Sequence, residues 1–235
     1  MLNVSDEQKH NDFLSCDRPH ILMITNHGVQ EWNVNPGLPD TGGQVVFVNE
    51  LSHTLAKFGF RVTIVNRGGY PHPESGHMRK GISYYNSYER LVLVEDSCQD
   101  FVRKEDMNEY LPELADFLKK FVEEEGTPIS LMISHYWDAA KLGVLYNREL
   151  ESPIRHIWVP HSLGALKKSN MPPESWPKLR IDERIQHEKE LVPELGGIAA
   201  TSLAIKDCLR NEYNYESDLF LPPCVDAERF QPRKL

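Results

Sequence analysis

Residue types that can do chemistry are concentrated in one glycine-rich segment and at three histidines. The segment Asp40-Thr41-Gly42-Gly43-Gln44 comes just before an apolar helical pattern. Paired glycines let the backbone approach a bound molecule closely, and free amides at a helix N-terminus bind an anion or a sugar hydroxyl. The segment has neither the Gly-x-Gly-x-x-Gly pattern of dinucleotide sites nor the Gly-Lys-Ser/Thr ending of phosphate-binding loops. By itself it is also compatible with an ordinary glycine-rich turn.

The three histidines, His27, His135 and His161, each follow an apolar run closely. A single histidine at the end of a strand is usually a hydrogen-bonded structural residue. Three histidines at equivalent positions carry more information, because ligands of open α/β sheets bind beyond the carboxyl ends of the strands. The pattern therefore indicates one site built from several loops.

The elements that must position these residues alternate between apolar runs and helical patterns. His20–Thr25 is continuously apolar rather than alternating, which is typical of a strand buried on both faces. Pro112 lies within one helical pattern and marks either a kink or the first turn. The runs predict strands at 20–25, 61–65, 91–94, 130–134, 154–159, 197–202 and 219–221, and helices at 45–58, 106–125, 138–150, 182–191 and 203–213.

This alternation implies crossover connections and a parallel sheet. We therefore predict one α/β domain, doubly wound and Rossmann-like, with a mainly parallel sheet. The length of 235 residues suits one large domain or two small ones.

Composition excludes several functional classes. The net charge of −9 argues against a nucleic-acid module, which needs basic patches, and no apolar run approaches the ~20 residues of a membrane span. The polar start of the chain does not resemble a secretory signal. The four cysteines have neither zinc spacing nor disulfide density, so we expect reduced thiols and a cytoplasmic location.

A series of motifs resembles sucrose-phosphate synthases and related retaining glycosyltransferases of the two-domain GT-B type. Singly the motifs are weak, but together, in the order of the family, they are specific. They are Asn26-His27-Gly28, Asp40–Val45, Asn49-Glu50-Leu51, Phe101–Glu105, Ser134–Ala140, Pro160–Lys167, Arg184–Glu188, Pro222–Asp226 and Phe230-Gln231-Pro232.

The resemblance implies that this chain is the N-terminal, acceptor-binding half of a GT-B fold. It also implies site residues. Gly42, Gly43 and Gln44 are expected to face the acceptor and the donor phosphates, and His161 to contact the sugar at the reacting centre as the catalytic residue. Further substrate-binding residues are His135 and, toward an acceptor phosphate, three basic positions: Lys104, Lys167 and Arg184.

Two positions depart from the family pattern. Where fructose-6-phosphate-binding synthases usually carry another basic residue, two positions before Arg184, this chain has Asp182. A carboxylate there is expected to repel a phosphate. Cys224 stands where the family usually has glycine.

The resemblance also predicts the organisation and the partners of the chain. We expect a polar N-terminal extension over residues 1–18, a Rossmann-like acceptor-binding domain over 19–221, and an interdomain linker beginning over 222–235. The donor-binding C-terminal domain is then a partner, so the chain alone is expected to turn over nothing. The donor is a nucleotide sugar, UDP-glucose or ADP-glucose, the acceptor is a sugar or sugar phosphate, and no metal or tightly bound cofactor is expected.

Two alternatives follow from the same residues. One is a sugar-binding or regulatory single-domain relative without turnover. The other is a metal-dependent hydrolase on a similar sheet, in which His135, Asp138 and His161 bind zinc, because histidine and carboxylate sets are typical zinc ligands.

Overall fold

A computed structural model of the chain describes residues 5–35 and 37–223. Its strands are β1 His20–Ile24, β2 Arg61–Arg67, β3 Gly81–Asn86, β4 Glu89–Val94, β5 Leu131–His135, β6 His156–Val159, β7 Gly197–Ala200 and β8 Leu219–Phe220. Its helices are α1 Asp6–Ser15, α2 Gly43–Lys57, α3 Leu111–Glu125, α4 Trp137–Arg148, α5 Gly164–Ser169, α6 Ile181–Leu191 and α7 Leu203–Tyr213, with short 3-10 turns at Met107–Glu109, Pro173–Ser175 and Val192–Glu194.

The eight strands of the described residues form one sheet in the order β3-β4-β2-β1-β5-β6-β7-β8. Neighbouring strands are parallel except β3 and β4, which are antiparallel. The chain moves outward from β1 on one side and returns to β5 on the other, so the strand order reverses between β1 and β5. The predicted doubly wound α/β fold with a mainly parallel sheet is confirmed.

The core lies on both faces of β1, which explains its continuous apolar run. Leu22 and Ile24 pack with residues of α3 and α4, whereas Ile21 and Met23 pack with residues of α2 on the other face. All five residues of β1 are buried. Each apolar side chain buried in this way contributes roughly 1.5–3 kcal/mol relative to leaving it exposed.

Helix boundaries follow local chemistry. Pro112 lies in the first turn of α3, which is the second of the two alternatives that the sequence left open. Here proline is favourable because its missing N–H has no partner in the first turn anyway. At the other end of α3, Gly126 adopts a left-handed conformation with φ of +62° and ends the helix.

The sequence patterns did not predict β3, α1 or α5. The burial of β3 alternates between exposed and half-buried residues, as expected of an edge strand, so no apolar run marks it. Helix α1 is strongly polar and buries only Phe13, whose ring lies 4.1 Å from the guanidinium carbon of Arg90. Helix α5 is only 6 residues long.

The predicted division of the chain stays a prediction. Most of the expected linker over 222–235, including Cys224 and Asp226, lies outside the described residues. Within residues 5–35 and 37–223, no helix is long and apolar enough to cross a membrane.

Candidate functional site

The candidate site lies at the carboxyl ends of β1, β5 and β6, beside the N-terminus of α2. This is where the strand order reverses, which is the usual ligand position in open α/β sheets. Thr25 continues β1 through a backbone bond from its N–H to the carbonyl of Val65, and Tyr136 continues β5 through a bond to the carbonyl of Val159. The residues that follow these strands are therefore held at one edge of the sheet.

The glycine-rich segment forms the start of α2. Gly42 caps the helix without any side-chain hydrogen bond, so the first amides of α2 have no side-chain partner in the cap. A β-carbon added at Gly42 or Gly43 meets nothing within 4 Å. Packing within the described residues therefore does not require glycine at either position, and the space in front of both is open.

Two further contacts fix this segment against β1. The side-chain amide of Gln44 donates a hydrogen bond to Thr25 Oγ1 at 3.0 Å. Gly28 has a φ of +75°, and a β-carbon there would lie 2.5 Å from the carbonyl oxygen of Asp40. The loop after β1 and the glycine-rich segment thus touch backbone to backbone, which requires glycine at position 28.

His135 and His161 form a stacked pair. Nδ1 of His135 lies 2.9 Å from Nε2 of His161, and the ring centroids are 5.2 Å apart. Phe47 of α2 contacts the His161 ring edge to face at 4.8 Å between centroids. The structure thus brings the predicted catalytic residue and His135 together with α2.

Burial keeps both imidazoles neutral near pH 7. It lowers the pKa of His161 to about 4, with the charge of His27 as a smaller cause. Burial, followed by the neighbouring His161, lowers the pKa of His135 well below its ordinary value. Because neither ring is charged, one ring nitrogen of the pair donates to the other, and His161 acts as a neutral hydrogen-bonding group.

Two residues that follow the central strands β5 and β6 have backbone conformations that are rare for side-chain-bearing residues. His161 has a φ of +55° and Tyr136 has a φ of +78°. Each such residue costs of the order of 1–3 kcal/mol and persists only where its surroundings hold it. Both follow the carboxyl end of a central strand, so the strain coincides with the residues that the sequence singled out.

A basic pocket opens next to these loops. The predicted phosphate-facing residues Lys104, Lys167 and Arg184 all line it, together with Arg180. Lys167 forms no salt bridge with any described residue. Burial, and then the nearby charges of Arg184 and Lys104, lower the pKa of Lys167. An incompletely neutralised ammonium group of this kind favours an anionic ligand.

Lys104 is paired within the chain. Its Nζ hydrogen-bonds to Asp40 and lies 3.6 Å from Glu105 Oε1. Burial alone raises the pKa of Asp40, but the hydrogen bond and charge of Lys104 outweigh it and hold that pKa below its ordinary value. Lys104 therefore connects the basic pocket to the glycine-rich segment.

Arg184 is buried, and most of its donors serve the protein. Nε donates to Glu188 at 2.7 Å, Nη1 to the hydroxyl of Tyr136, and Nη2 to the carbonyl of Ser162 at 2.6 Å. Nη2 also donates to Ser162 Oγ at 3.4 Å, so one of the five guanidinium N–H groups remains without a partner among the described residues. Arg184 thus holds the loops after β5 and β6 together while lining the pocket.

Asp182 points away from the pocket. Its carboxylate accepts a hydrogen bond from Lys168, and its side chain is 72% exposed. The position of Asp182 does not support the expectation that it repels a phosphate here. Instead Arg180, two residues earlier at the start of α6, brings a further guanidinium to the pocket.

The structure does not bring together the three residues of the proposed zinc site. Asp138 contacts His27, with 3.1 Å between Nδ1 and Oδ1, rather than the stacked pair of His135 and His161. No group of three or more histidine, cysteine or acidic residues within the described part of the chain is arranged to hold a metal ion.

Comparison with known proteins identifies the family. The family model "Glycosyltransferase Family 4" matches residues 41–229, from the glycine-rich segment to near the C-terminus. The chain belongs to glycosyltransferase family 4. The predicted resemblance to this group of enzymes is therefore confirmed.

Family 4 relatives resemble the chain over most of its length. A mannosylfructose-phosphate synthase of Agrobacterium fabrum is 31% identical over 223 residues, which cover 91% of this chain and 47% of the relative. A probable sucrose-phosphate synthase of Thermosipho melanesiensis is 28% identical over 209 residues, covering 83% of this chain and 48% of the relative. The chain thus spans about half the length of these curated relatives.

The fold is that of one half of a solved family member. The structure of a sucrose-phosphate synthase from Thermosynechococcus elongatus superimposes with a TM-score of 0.76 at 20% identity, covering 92% of this chain and 51% of that one. This likeness confirms the Rossmann-like half of a GT-B architecture.

Two residues of the candidate site are not among the predicted site residues. His27 had been singled out only as one of three strand-end histidines, and its contact with Asp138 joins residues 111 positions apart. No sequence pattern indicated that Arg180 lines the pocket. Its side chain reaches the pocket from a left-handed backbone conformation, with a φ of +45°, which the sequence does not reveal.

Proposed function

We propose that this chain is the acceptor-binding half of a retaining glycosyltransferase. The enzyme transfers a hexose, which we assign as glucose, from a nucleotide sugar to a sugar phosphate. The observation that carries the proposal is the basic pocket beside the His135–His161 pair. A phosphorylated sugar has an anionic end and a set of hydroxyl groups, and the two parts of the site match these two chemistries.

The phosphate end is assigned to the basic pocket. Charge-assisted hydrogen bonds from lysine or arginine contribute roughly 1.5–3 kcal/mol each. Lys167 is free of salt bridges within the described residues, whereas Lys104 and Arg180 must share their charge with carboxylates. We therefore assign Lys167 the largest effect. Both relatives are named as synthases of a sugar phosphate, mannosylfructose-phosphate and sucrose-phosphate, which supports the assignment.

The sugar end is assigned to the residues nearer the centre of the sheet. In a retaining transfer the acceptor hydroxyl approaches the face from which the nucleotide leaves, so its placement matters more than a strong base. His161 is neutral and can hydrogen-bond to the sugar, and His135 supports it through their stacked contact. Gly42 and Gly43 leave room beside the first amides of α2, to which Gln44 also belongs, and these amides suit the hydroxyls and the donor phosphates.

The donor is proposed to be UDP-glucose or ADP-glucose, bound largely by a second domain. Transfer requires groups that stabilise the departing diphosphate, and the described residues would supply only the acceptor side. On this proposal the 235-residue chain binds acceptor but transfers nothing when tested alone. Robust transfer by the purified chain would contradict this part of the proposal.

Adjacent lysines provide a matched test of the acceptor. Lys167 lines the pocket, whereas Lys168 pairs with Asp182 outside it. We expect the wild-type chain to bind fructose 6-phosphate more tightly than fructose in calorimetry. Lys167→Ala should weaken fructose 6-phosphate about tenfold or more, the loss of one charge-assisted contact, and leave fructose unchanged. Lys168→Ala should change neither. An equal preference for both sugars in all three proteins would refute the phosphate assignment.

A further inference from the structure

A buried carboxylate holds the start of α5 from behind. The two side-chain oxygens of Glu188, on α6, both accept from the backbone N–H of Gly164, at 3.1 Å and 2.8 Å. Glu188 is fully buried, and Gly164 is buried as well. A β-carbon at Gly164 would lie 2.8 Å from Cγ1 of Ile185 and 3.1 Å from Oε2 of Glu188. The first residue of α5 therefore rests directly on α6.

This contact replaces a cap that α5 does not supply itself. Leu163, at the N-cap position, forms no side-chain hydrogen bond to the helix, so the first amides of α5 need other acceptors. The N–H of Gly164 donates to Glu188, and the N–H of Ala165 donates to the phenol oxygen of Tyr213 at 3.1 Å. The Tyr213 hydroxyl in turn donates to Glu188. Side chains of α6 and α7 therefore cap α5.

The same carboxylate orients Arg184, one turn earlier on α6. Nε of Arg184 donates to Glu188 at 2.7 Å, while Nη2 donates to the carbonyl of Ser162 at 2.6 Å. An ionised carboxylate only accepts hydrogen bonds, so Glu188 can serve the Gly164 amide, the guanidinium and the phenol together. Such charge-assisted bonds are the strong ones. Glu188 thus fixes where the start of α5 lies relative to the guanidinium of Arg184.

These two elements carry two of the cations of the basic pocket. Lys167 is in the first turn of α5, where its N–H donates to the carbonyl of Leu163 at 2.9 Å. Its side chain lines the pocket together with Arg184, whereas Glu188 is not a lining residue. Hydrogen bonds weaken steeply when their distance or angle is wrong, so two cations serve one anion only when both are correctly placed.

We infer that Glu188 is a positioning residue of the basic pocket: it fixes the start of α5 so that Lys167 and Arg184 meet the same phosphate group. The bonds that one buried carboxylate makes to both elements carry this inference. It rests on the proposed function for the phosphate, but the capping of α5 is a property of the chain without a ligand.

Glu188→Gln tests the inference with nearly the same side-chain shape. A glutamine offers one acceptor oxygen, and its NH₂ group must face a donor. In calorimetry on the 235-residue chain, fructose 6-phosphate should bind about tenfold more weakly, the loss of one charge-assisted contact. Fructose should bind as before, whereas general damage to the fold would weaken both sugars. Equal losses for the two sugars would overturn the inference.

A double-mutant cycle shows whether Glu188 acts through Lys167. Once Lys167→Ala has removed the positioned ammonium group, adding Glu188→Gln should weaken fructose 6-phosphate by no more than about twofold. Two independent residues would instead multiply their effects, to about a hundredfold in the double variant. That multiplied loss would overturn the inference.

A matched pair of tyrosines keeps the test sharp if Glu188→Gln does not fold. Tyr213→Phe removes the phenol that contacts both Glu188 and Ala165. Tyr215→Phe removes a comparable phenol, which accepts from the N–H of Ile198 at 3.1 Å and lies away from α5. Fructose 6-phosphate affinity should fall about threefold in Tyr213→Phe, through partial loss of the cap, and stay unchanged in Tyr215→Phe. Equal affinities in the two variants would overturn the inference.

Hydrogen exchange without a ligand separates this inference from the proposed function. The amides of Gly164 and Ala165 should exchange faster in Glu188→Gln and Tyr213→Phe than in the wild type and Tyr215→Phe. Unchanged exchange would overturn the capping. Faster exchange with an unchanged, Lys167-dependent affinity for fructose 6-phosphate would overturn the positioning role and leave the proposed acceptor standing. A wild-type chain that binds no sugar phosphate would overturn the proposed acceptor, and the positioning role with it.

Discussion

Two buried arginines on one side of the sheet, Arg67 and Arg90, differ from the half-buried Lys167 on the other side in whether a carboxylate neutralises them. On the β2 and β4 side, Arg67 donates to Asp96 through Nε and Nη2 and to the carbonyls of Asp100 and Cys98. Arg90 likewise forms a two-pronged contact with Glu125 and a bond to Thr63. On the β5 and β6 side, Lys167 has no salt bridge with a described residue.

This difference distinguishes cations that stabilise the fold from a cation that is available to bind a ligand. A buried cation whose charge and hydrogen bonds are already satisfied by protein groups is not stabilised further when a ligand binds. A cation left without a partner beside other cations is electrostatically unfavourable until an anion arrives. The first arrangement holds β2, β4 and α3 together, and the second is the arrangement expected of a binding pocket.

Removing a partner from the paired side should produce the largest effect on stability. Asp96→Ala leaves the guanidinium of Arg67 buried without its carboxylate, so we expect about 3–5 kcal/mol less free energy of unfolding in urea. Lys167→Ala should cost no more than about 0.5 kcal/mol, since no ion pair is lost. A small loss of unfolding free energy in Asp96→Ala, or a large loss in Lys167→Ala, would contradict the distinction between the two sides of the sheet.

Blocking the open space before α2 should affect binding rather than folding. Gly43→Val adds a branched side chain where a β-carbon meets no described atom. In the two-domain protein that we propose, glycosyl transfer should fall by about a hundredfold or more, the usual result of displacing a reacting group by about 1 Å. Thermal unfolding should be nearly unchanged. Wild-type transfer rates in this variant would show that no ligand approaches position 43.

Acidification should reveal the structural histidines. Burial lowers the pKa of His156 from 6.5 to about 4. Below pH 6.5 the unfolded chain therefore takes up a proton that the folded chain does not, so stability is full above pH 6.5 and falls as pH decreases toward 4. For one such histidine the loss at pH 5 is roughly 2 kcal/mol.

The check is the free energy of unfolding at pH 7.5 and pH 5. We expect His156→Gln, which removes one of these groups, to lose less stability than the wild-type chain across this interval. His156 contacts Ser134 and lies within the sheet, away from the basic pocket. Parallel pH dependences for the two proteins would mean that folding does not lower the pKa of His156.

The smallest effect is expected where the basic pocket is partly neutralised. Arg180 donates to Glu183 at 2.7 Å and 2.9 Å, and both residues line the pocket. Glu183→Gln should strengthen phosphate binding by up to about threefold, because an exposed ion pair contributes only about 0.2–1 kcal/mol. Glu194→Gln, which breaks a similar pair with Arg148 elsewhere, is the control. Equal affinities in both variants would indicate that Arg180 takes no part.

Local chemistry and hydrophobic periodicity determined most of the fold from the sequence. The apolar run of β1, the helical spacing of α2 and the effect of Pro112 are short-range properties, because each depends on neighbours within a few residues. The motifs also indicated the family and the glycine-rich segment. The sequence patterns did not predict strand β3 or helix α1, because an edge strand and a polar helix bury too little apolar surface to produce a hydrophobic pattern.

The tertiary structure alone decided which polar groups meet. Asp138, after β5, contacts His27, after the neighbouring strand β1, and Arg184 donates mainly to protein groups. Asp182 pairs with Lys168, whereas Arg180 lines the pocket. These outcomes depend on the direction of single side chains, and a residue pair far apart in sequence leaves no periodic signal. The sequence therefore determined which residue types reach the edge of the sheet, and packing determined which of them are free to bind.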